Sequence, residues 1–316
     1  SHMTTFNFDA VINRTNTFSL KWQKYAGSEV LPLWVADSEF KIAPPIQSAL
    51  NDAIEHGILG YHNPNHNVVA TEAVQHWLLK RHSWHIQPDW LVWTPGVVPA
   101  FHVAISAYCQ PGETMVVQSP NYPPILAAAK ARGVNCVMVD THLQQGRWSL
   151  DIEQLERVCA DPNTSLFLLC NPMNPCGTVL SAAELSEIER ICLQYDVQLL
   201  SDEIHADLVL DPIAKHIPAG TLRNIGEQTV TLMAASKTFN IAGLGVSFAI
   251  IPDKKLRTRF KSAASGICPS ANNLGVLATT AAFTACDDWY TQQIAYLKDN
   301  QAYLYQQFNQ MPLLNY

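Results

Sequence analysis

The chain has 316 residues, room for one large domain or a large domain with part of a second. A net charge of -7 argues against nucleic acid or an anionic membrane as a partner, and no apolar run is long enough to span a bilayer. Only 15% of residues are charged, against about 25% in ordinary soluble chains, so extra surface is expected to be buried in a large core or a subunit interface.

Ser1-His2-Met3 looks like an expression remnant. Residues 1–45 read as an N-terminal arm, 46–288 as a large domain, and 289–316 as the start of a small domain left incomplete. In the first ninety residues, Ile46–His56 and Ala70–His82 are helix candidates, expected as surface helices flanking the large domain. Beyond residue 90, short apolar runs alternate with helical patterns, which predicts βαβ units and a mostly parallel sheet. The expected strands are Glu113–Gln118, Ser165–Cys170, Val197–Leu200, Val230–Met233 and Val246–Ile251. Ser181 and Glu184 form a capping box that opens a helix between the second and third of these. Trp289–Met311 reads as one long helix, after which the chain stops at Tyr316 with no closing element. The fold class expected is α/β, a three-layer α/β/α domain. Eight cysteines show no CxxC spacing and several lie in apolar runs, as expected of reduced thiols in a cytoplasmic protein.

Ligands of open α/β sheets bind beyond the carboxyl ends of the strands, and the unusual polar residues fall there. SLFLLC is followed by Asn171-Pro172-Met173-Asn174, VQLL by Ser201-Asp202-Glu203-Ile204-His205, and VTLM by Ala234-Ala235-Ser236-Lys237. A lysine, an aspartate and an asparagine together suit pyridoxal 5'-phosphate (PLP). Lys237 supplies the amine for its aldehyde, and Asp202 the carboxylate that keeps its pyridine nitrogen protonated. The Asn174 amide can donate to its phenolate oxygen. Trp93-Thr94-Pro95-Gly96-Val97-Val98-Pro99 opens a helix whose first amides suit a phosphate, to which Ser236 can add a hydroxyl. Tyr122, held between prolines, can stack on the ring. Taken singly, each residue has a plainer reading: an Asp after a strand caps a turn, a Ser-Lys pair is solvated, and NPxNPxG is a turn.

The stretches LWVADSEF (33–40), GYHNP (60–64), WTPGVVPA (93–100), SPNYPP (119–124), CNPMNPCGTV (170–179), SDEIHADL (201–208) and ASKTFNIAGLG (235–245) cover most of the chain. In combination they resemble fold-type I PLP enzymes of the class I/II aminotransferase superfamily, above all the MalY/PatB-type cystathionine β-lyases. The resemblance implies a PLP-transferase-like fold and Lys237 as Schiff-base lysine and α-proton base. Asp202 and Tyr122 would be the other catalytic groups. His205 would lie close to Asn174, and Val97, Val98 and Ser236 would hold the phosphate. It implies a homodimer in which Tyr61 reaches the neighbouring subunit's phosphate, and a substrate site lined by Trp34, Ala36 and Asn174. It also implies a small-domain arginine for the substrate carboxylate, with no matching segment before Tyr316. Gly245 stands where many aminotransferases carry a phosphate-binding arginine, and Ser38-Glu39 where Met-Asp often follows WVAD. The leading expectation is a carbon–sulfur β-lyase acting on cystathionine or a related cysteine S-conjugate, with no metal. An aminotransferase, or a PLP-fold regulator without turnover, remain the competing readings.

Overall fold

A computed structural model describes residues 4–312. Ser1-His2-Met3 and the last four residues, which include Tyr316, lie outside the described residues.

In chain order the elements are α1 (Leu20–Gln23), α2 (Pro44–His56), α3 (Val68–His82), β1 (Leu91–Thr94), α4 (Val97–Tyr108), β2 (Thr114–Ser119), α5 (Pro123–Ala131), β3 (Asn135–Gln144) and β4 (Arg147–Leu150). There follow α6 (Ile152–Cys159), β5 (Thr164–Cys170), α7 (Ala182–Gln194), β6 (Gln198–Asp202), β7 (Val230–Met233), β8 (Ser247–Ile250), α8 (Lys254–Ala264), α9 (Asn273–Ala285) and α10 (Asp287–Asn309). One eight-stranded sheet runs in the order β1-β8-β7-β6-β5-β2-β3-β4. The pairs β2–β3, β2–β5, β5–β6 and β6–β7 are parallel. Strand β8 runs against both β7 and β1, and β4 against β3, so β1 points the same way as β7.

Side-chain alternation divides the central strands between two cores. From β5, Leu166 and Leu168 enter a cluster with α4, α5 and α8, while Phe167 and Leu169 enter one with α6 and α7. From β8 and the residue after it, Ala249 and Ile251 face the first layer, while Phe248 and Ile250 meet α2, α3, α9 and α10 on the opposite side. Burial on both faces explains why these strands read as unbroken apolar runs. The result is the three-layer α/β/α arrangement with a mostly parallel sheet.

Two expectations change. Helices α2 and α3 do lie at the surface, but the inner face of each, with Ile46, Ala70, Val74, Trp77 and Leu78, is buried in a core shared with α9 and α10. Trp77 stacks on Phe283 with ring centroids 4.9 Å apart. The β3–β4 hairpin is additional to the expected strands. It closes through Gln145 at φ 51° and Gly146 at φ 75°, the two left-handed residues of a tight hairpin turn. Its strands lie at the sheet edge with most side chains exposed, so they carry little of the apolar signal that marks β5.

Phe167 is fully buried at the centre of the sheet. Phe167→Ala should cost about 3–5 kcal/mol of stability, read as a lowered urea midpoint at unchanged slope.

Candidate active site

Because β1, β2, β5, β6 and β7 point the same way, their carboxyl ends share one edge of the sheet. The loops expected to carry chemistry all leave from that edge. Asp202 is the last residue of β6, paired with Cys170 on one side and Leu232 on the other. The Asn171 amide donates to the Asp202 carbonyl at 3.0 Å, and the Glu203 amide to the Leu232 carbonyl at 2.9 Å, so the ends of β5, β6 and β7 are tied together.

The Asp202 side chain is only 5% exposed and accepts a hydrogen bond from the Ile204 amide at 3.1 Å. Burial raises its pKa to about 7. The Glu203 charge pushes the same way, while the Ile204 amide and the Lys237 ammonium oppose them. The other buried carboxylates are better served. Glu203 receives His216 Nε2 at 2.7 Å and the Ala219 amide at 3.0 Å. Asp207 binds His82 Nε2 at 2.7 Å and the Trp77 indole N–H at 3.0 Å. Glu189 accepts the amides of Asn224 and Ile225 and the Asn224 carboxamide. Asp202 thus has the chemistry to take a protonated ring nitrogen as partner, and the donor set fits PLP.

Lys237 and Ser236 are half-buried in the turn after β7. That turn is closed by the Phe239 amide on the Ala235 carbonyl at 2.9 Å and the Ile241 amide on the Ser236 carbonyl at 3.0 Å. The Lys237 charge acts on both Asp202 and His205. Burial, then that charge, lowers the His205 pKa to about 4, so the imidazole is neutral near pH 7. Val97 and Val98 begin α4 behind Gly96, whose φ of 126° suits only glycine. Their amides have no helical carbonyl to bond, which leaves donors for an anion. Tyr122, just ahead of α5, borders the same apolar cluster as Val97 and Val98. Asn174 is half-buried in the turn after β5, its amide 3.4 Å from Cys170 Sγ.

Other expected residues lie apart. Tyr61 is fully exposed between α2 and α3. Ala36 is exposed on the arm. Trp34 is 41% exposed, donates its indole N–H to the Lys21 carbonyl at 3.0 Å and carries the Lys24 ammonium 4.3 Å above its ring. Sequence reasoning missed three residues that shape the edge. Gln118 brackets Cys170, accepting its amide at 2.7 Å and donating to its carbonyl at 3.2 Å. Asn171 accepts the Leu180 amide at 3.0 Å and folds the NPMNP loop back. Asn240 joins the lysine turn to the arm. All three lay in stretches that had drawn notice, Gln118 at the end of an expected strand, Asn171 in CNPMNPCGTV and Asn240 in SKTFN, but none had been given a role.

Fold and site together define an α/β enzyme with a lysine–aspartate centre at the sheet edge. The profile of aminotransferase class I and II matches residues 30–315, and the chain belongs to that family. Cystathionine β-lyase PatB of Bacillus subtilis is 36% identical over 93% of this chain and 77% of its own. The crystal structure of OvoB superposes with a TM-score of 0.93 at 40% identity, over 97% of this chain and 80% of that one. Cystalysin from Treponema denticola, whose crystal structure contains a PLP cofactor, gives 0.92 at 33% identity over 97% and 79%.

The folded chain holds the Asp202 proton more tightly than the unfolded one, so stability falls as pH rises from about 4 through about 7. In cofactor-free protein, Asp202→Asn should therefore raise the melting temperature above pH 7, with the gain vanishing below about pH 4. Equal melting temperatures at both extremes would contradict the assignment.

Proposed function

We propose that the chain is a PLP-dependent carbon–sulfur β-lyase that cleaves cystathionine or a related cysteine S-conjugate to pyruvate, ammonia and a thiol. The observation that carries this reading is the buried Asp202 carboxylate with a single amide donor, within electrostatic reach of Lys237. The similarity to the cystathionine β-lyase PatB supports the choice of reaction.

When bound, PLP supplies the electron sink that lets an α-proton leave and a β-substituent follow. Asp202 would hold the pyridine nitrogen protonated, and Asn174 would donate to the phenolate oxygen. Val97, Val98 and Ser236 would hold the phosphate. Tyr122 would stack on the ring. His205, neutral near pH 7, adds no second positive charge beside Lys237. The Lys237 amine would anchor the aldehyde and, once displaced by the substrate amine, take the proton from the α-carbon. A thiolate leaves far more readily than hydroxide, which suits thioether substrates. Gly245 adopts φ 59°, a conformation in which an arginine would be strained, and this weighs against the phosphate arginine of many aminotransferases.

The same reading includes a homodimer with shared sites. Ile54, Ile58, Leu59, Val68 and Val69, near Tyr61 in sequence, are exposed apolar residues that would suit a second copy whose phosphate site Tyr61 would reach. It includes a cytoplasmic setting, in keeping with eight free cysteines. Among the described residues no helix is long and apolar enough to cross a membrane. Residues 46–288 would form the cofactor domain, 1–45 the arm and 289–316 the opening of a smaller domain. Trp34, Ala36 and Asn174 would line the substrate entrance.

PLP-loaded protein given cystathionine should release pyruvate and free thiol in equal amounts. Conversion of the cofactor to its amine form without pyruvate would favour an aminotransferase instead. Lys237→Ala should lose the visible band of bound PLP and at least about 10³-fold of the turnover. Sedimentation should give twice the monomer mass, and Tyr61→Ala should weaken PLP retention without changing that mass.

A further inference from the structure

The arm segment that carries Trp34 and Ala36 meets the lysine turn through one side chain. The Asn240 Oδ1 accepts the Ser38 amide at 3.1 Å, and its Nδ2 donates to the Ser38 carbonyl at 3.1 Å and the Phe40 carbonyl at 2.9 Å. The carboxamide stands in for a paired strand across a separation of about two hundred residues. Asn240 has φ 57°, a left-handed conformation that asparagine tolerates and most residues do not. It lies three residues beyond Lys237, and its neighbours Phe239 and Ile241 close the turn that holds that lysine. Phe239 is fully buried and stacks on Trp289 at 5.7 Å, which anchors the turn to α10.

The arm side of this contact is itself braced. Lys21, only 5% exposed, donates to the Asp37 carbonyl at 2.9 Å and pairs with Glu39 at 2.9 Å. Arg14 pairs with Glu39 at 3.0 Å and donates to the Phe40 carbonyl at 3.1 Å. The Trp22 indole N–H also reaches Glu39, at 3.0 Å. Residues 37–40 are therefore a stiff strip, held to the arm by Arg14, Lys21 and Trp22 and to the lysine turn by Asn240.

From this geometry we infer that Asn240 is a positioning residue for substrate binding, fixing the strip that follows Trp34 and Ala36 against the turn that bears Lys237. The inference rests on the proposed lyase reading for its substrate. It assigns Asn240 no contact with cofactor or substrate. Loss of its carboxamide frees one wall of the entrance and leaves the cofactor's own contacts in place, so the effect falls on substrate capture.

Asn240→Gly separates side chain from backbone, because glycine keeps φ 57° without strain. In the PLP-loaded full chain, KM for cystathionine should rise about tenfold or more, the scale of three lost hydrogen bonds, and kcat should fall by less than KM rises. PLP absorbance and retention should match the parent. Asn240→Asp, which keeps the acceptor but loses both donations, should raise KM in the same direction. Hydrogen exchange gives a second readout independent of turnover: amides of residues 33–40 should exchange faster in Asn240→Gly, with residues 197–202 unchanged. A KM within twofold of the parent, or unaltered exchange across 33–40, overturns the inference. If the parent cleaves no thioether, the lyase reading fails and the exchange result alone decides the role of Asn240.

Discussion

The structure depends on burying a carboxylate at the end of β6. Asp202 sits between β5 and β7 in the middle of an eight-stranded sheet, only 5% exposed, with a single amide donating to it among the described residues. Glu203, Asp207 and Glu189 are equally buried, yet each has two or more donors from the protein. The contrast separates structure from function. The paired carboxylates brace loops against α3, α7 and the segment around Ala219. The under-served one is poised for a partner brought from outside, and its proton affinity records the cost.

Around that carboxylate the parallel strands do the positioning. Strands β5, β6 and β7 deliver Asn174, Asp202 and Lys237 in order, while β1 and β2 deliver the α4 amides and Tyr122 to the same edge. Chemistry at this edge needs precision, and the backbone bonds between strand ends supply it. The arm is tied to the lysine turn through Asn240, and its bracing by Glu39, Arg14 and Lys21 shows why a long stretch without regular structure still holds its shape.

The central strands and the site were legible because their signals are local. A strand buried on both faces is an apolar run, and the polar residue that ends it stands out; β5, β6 and β7 with Asp202 and Ser236-Lys237 could be read that way. Half-exposed elements were harder. The β3–β4 hairpin mixes exposed Val137, Met138, Leu143 and Trp148 with polar residues and shows no clean period. Helices α2 and α3 were seen as flanking helices, but their buried faces were not, since the partners α9 and α10 are some two hundred residues away in sequence. Gln118, Asn171 and Asn240 act through bonds to backbone that composition and periodicity do not encode. The roles of Tyr61, Trp34 and Ala36 came from family resemblance alone.

The most direct test of the central carboxylate is infrared difference spectroscopy of the cofactor-free protein at mildly acidic pH, before and after addition of PLP. A protonated-carboxyl stretch should be present before PLP, absent from Asp202→Asn, and lost on binding as the group ionises against the ring nitrogen. A stretch that persists unchanged with PLP bound, or a parent spectrum identical to that of Asp202→Asn, would contradict the account.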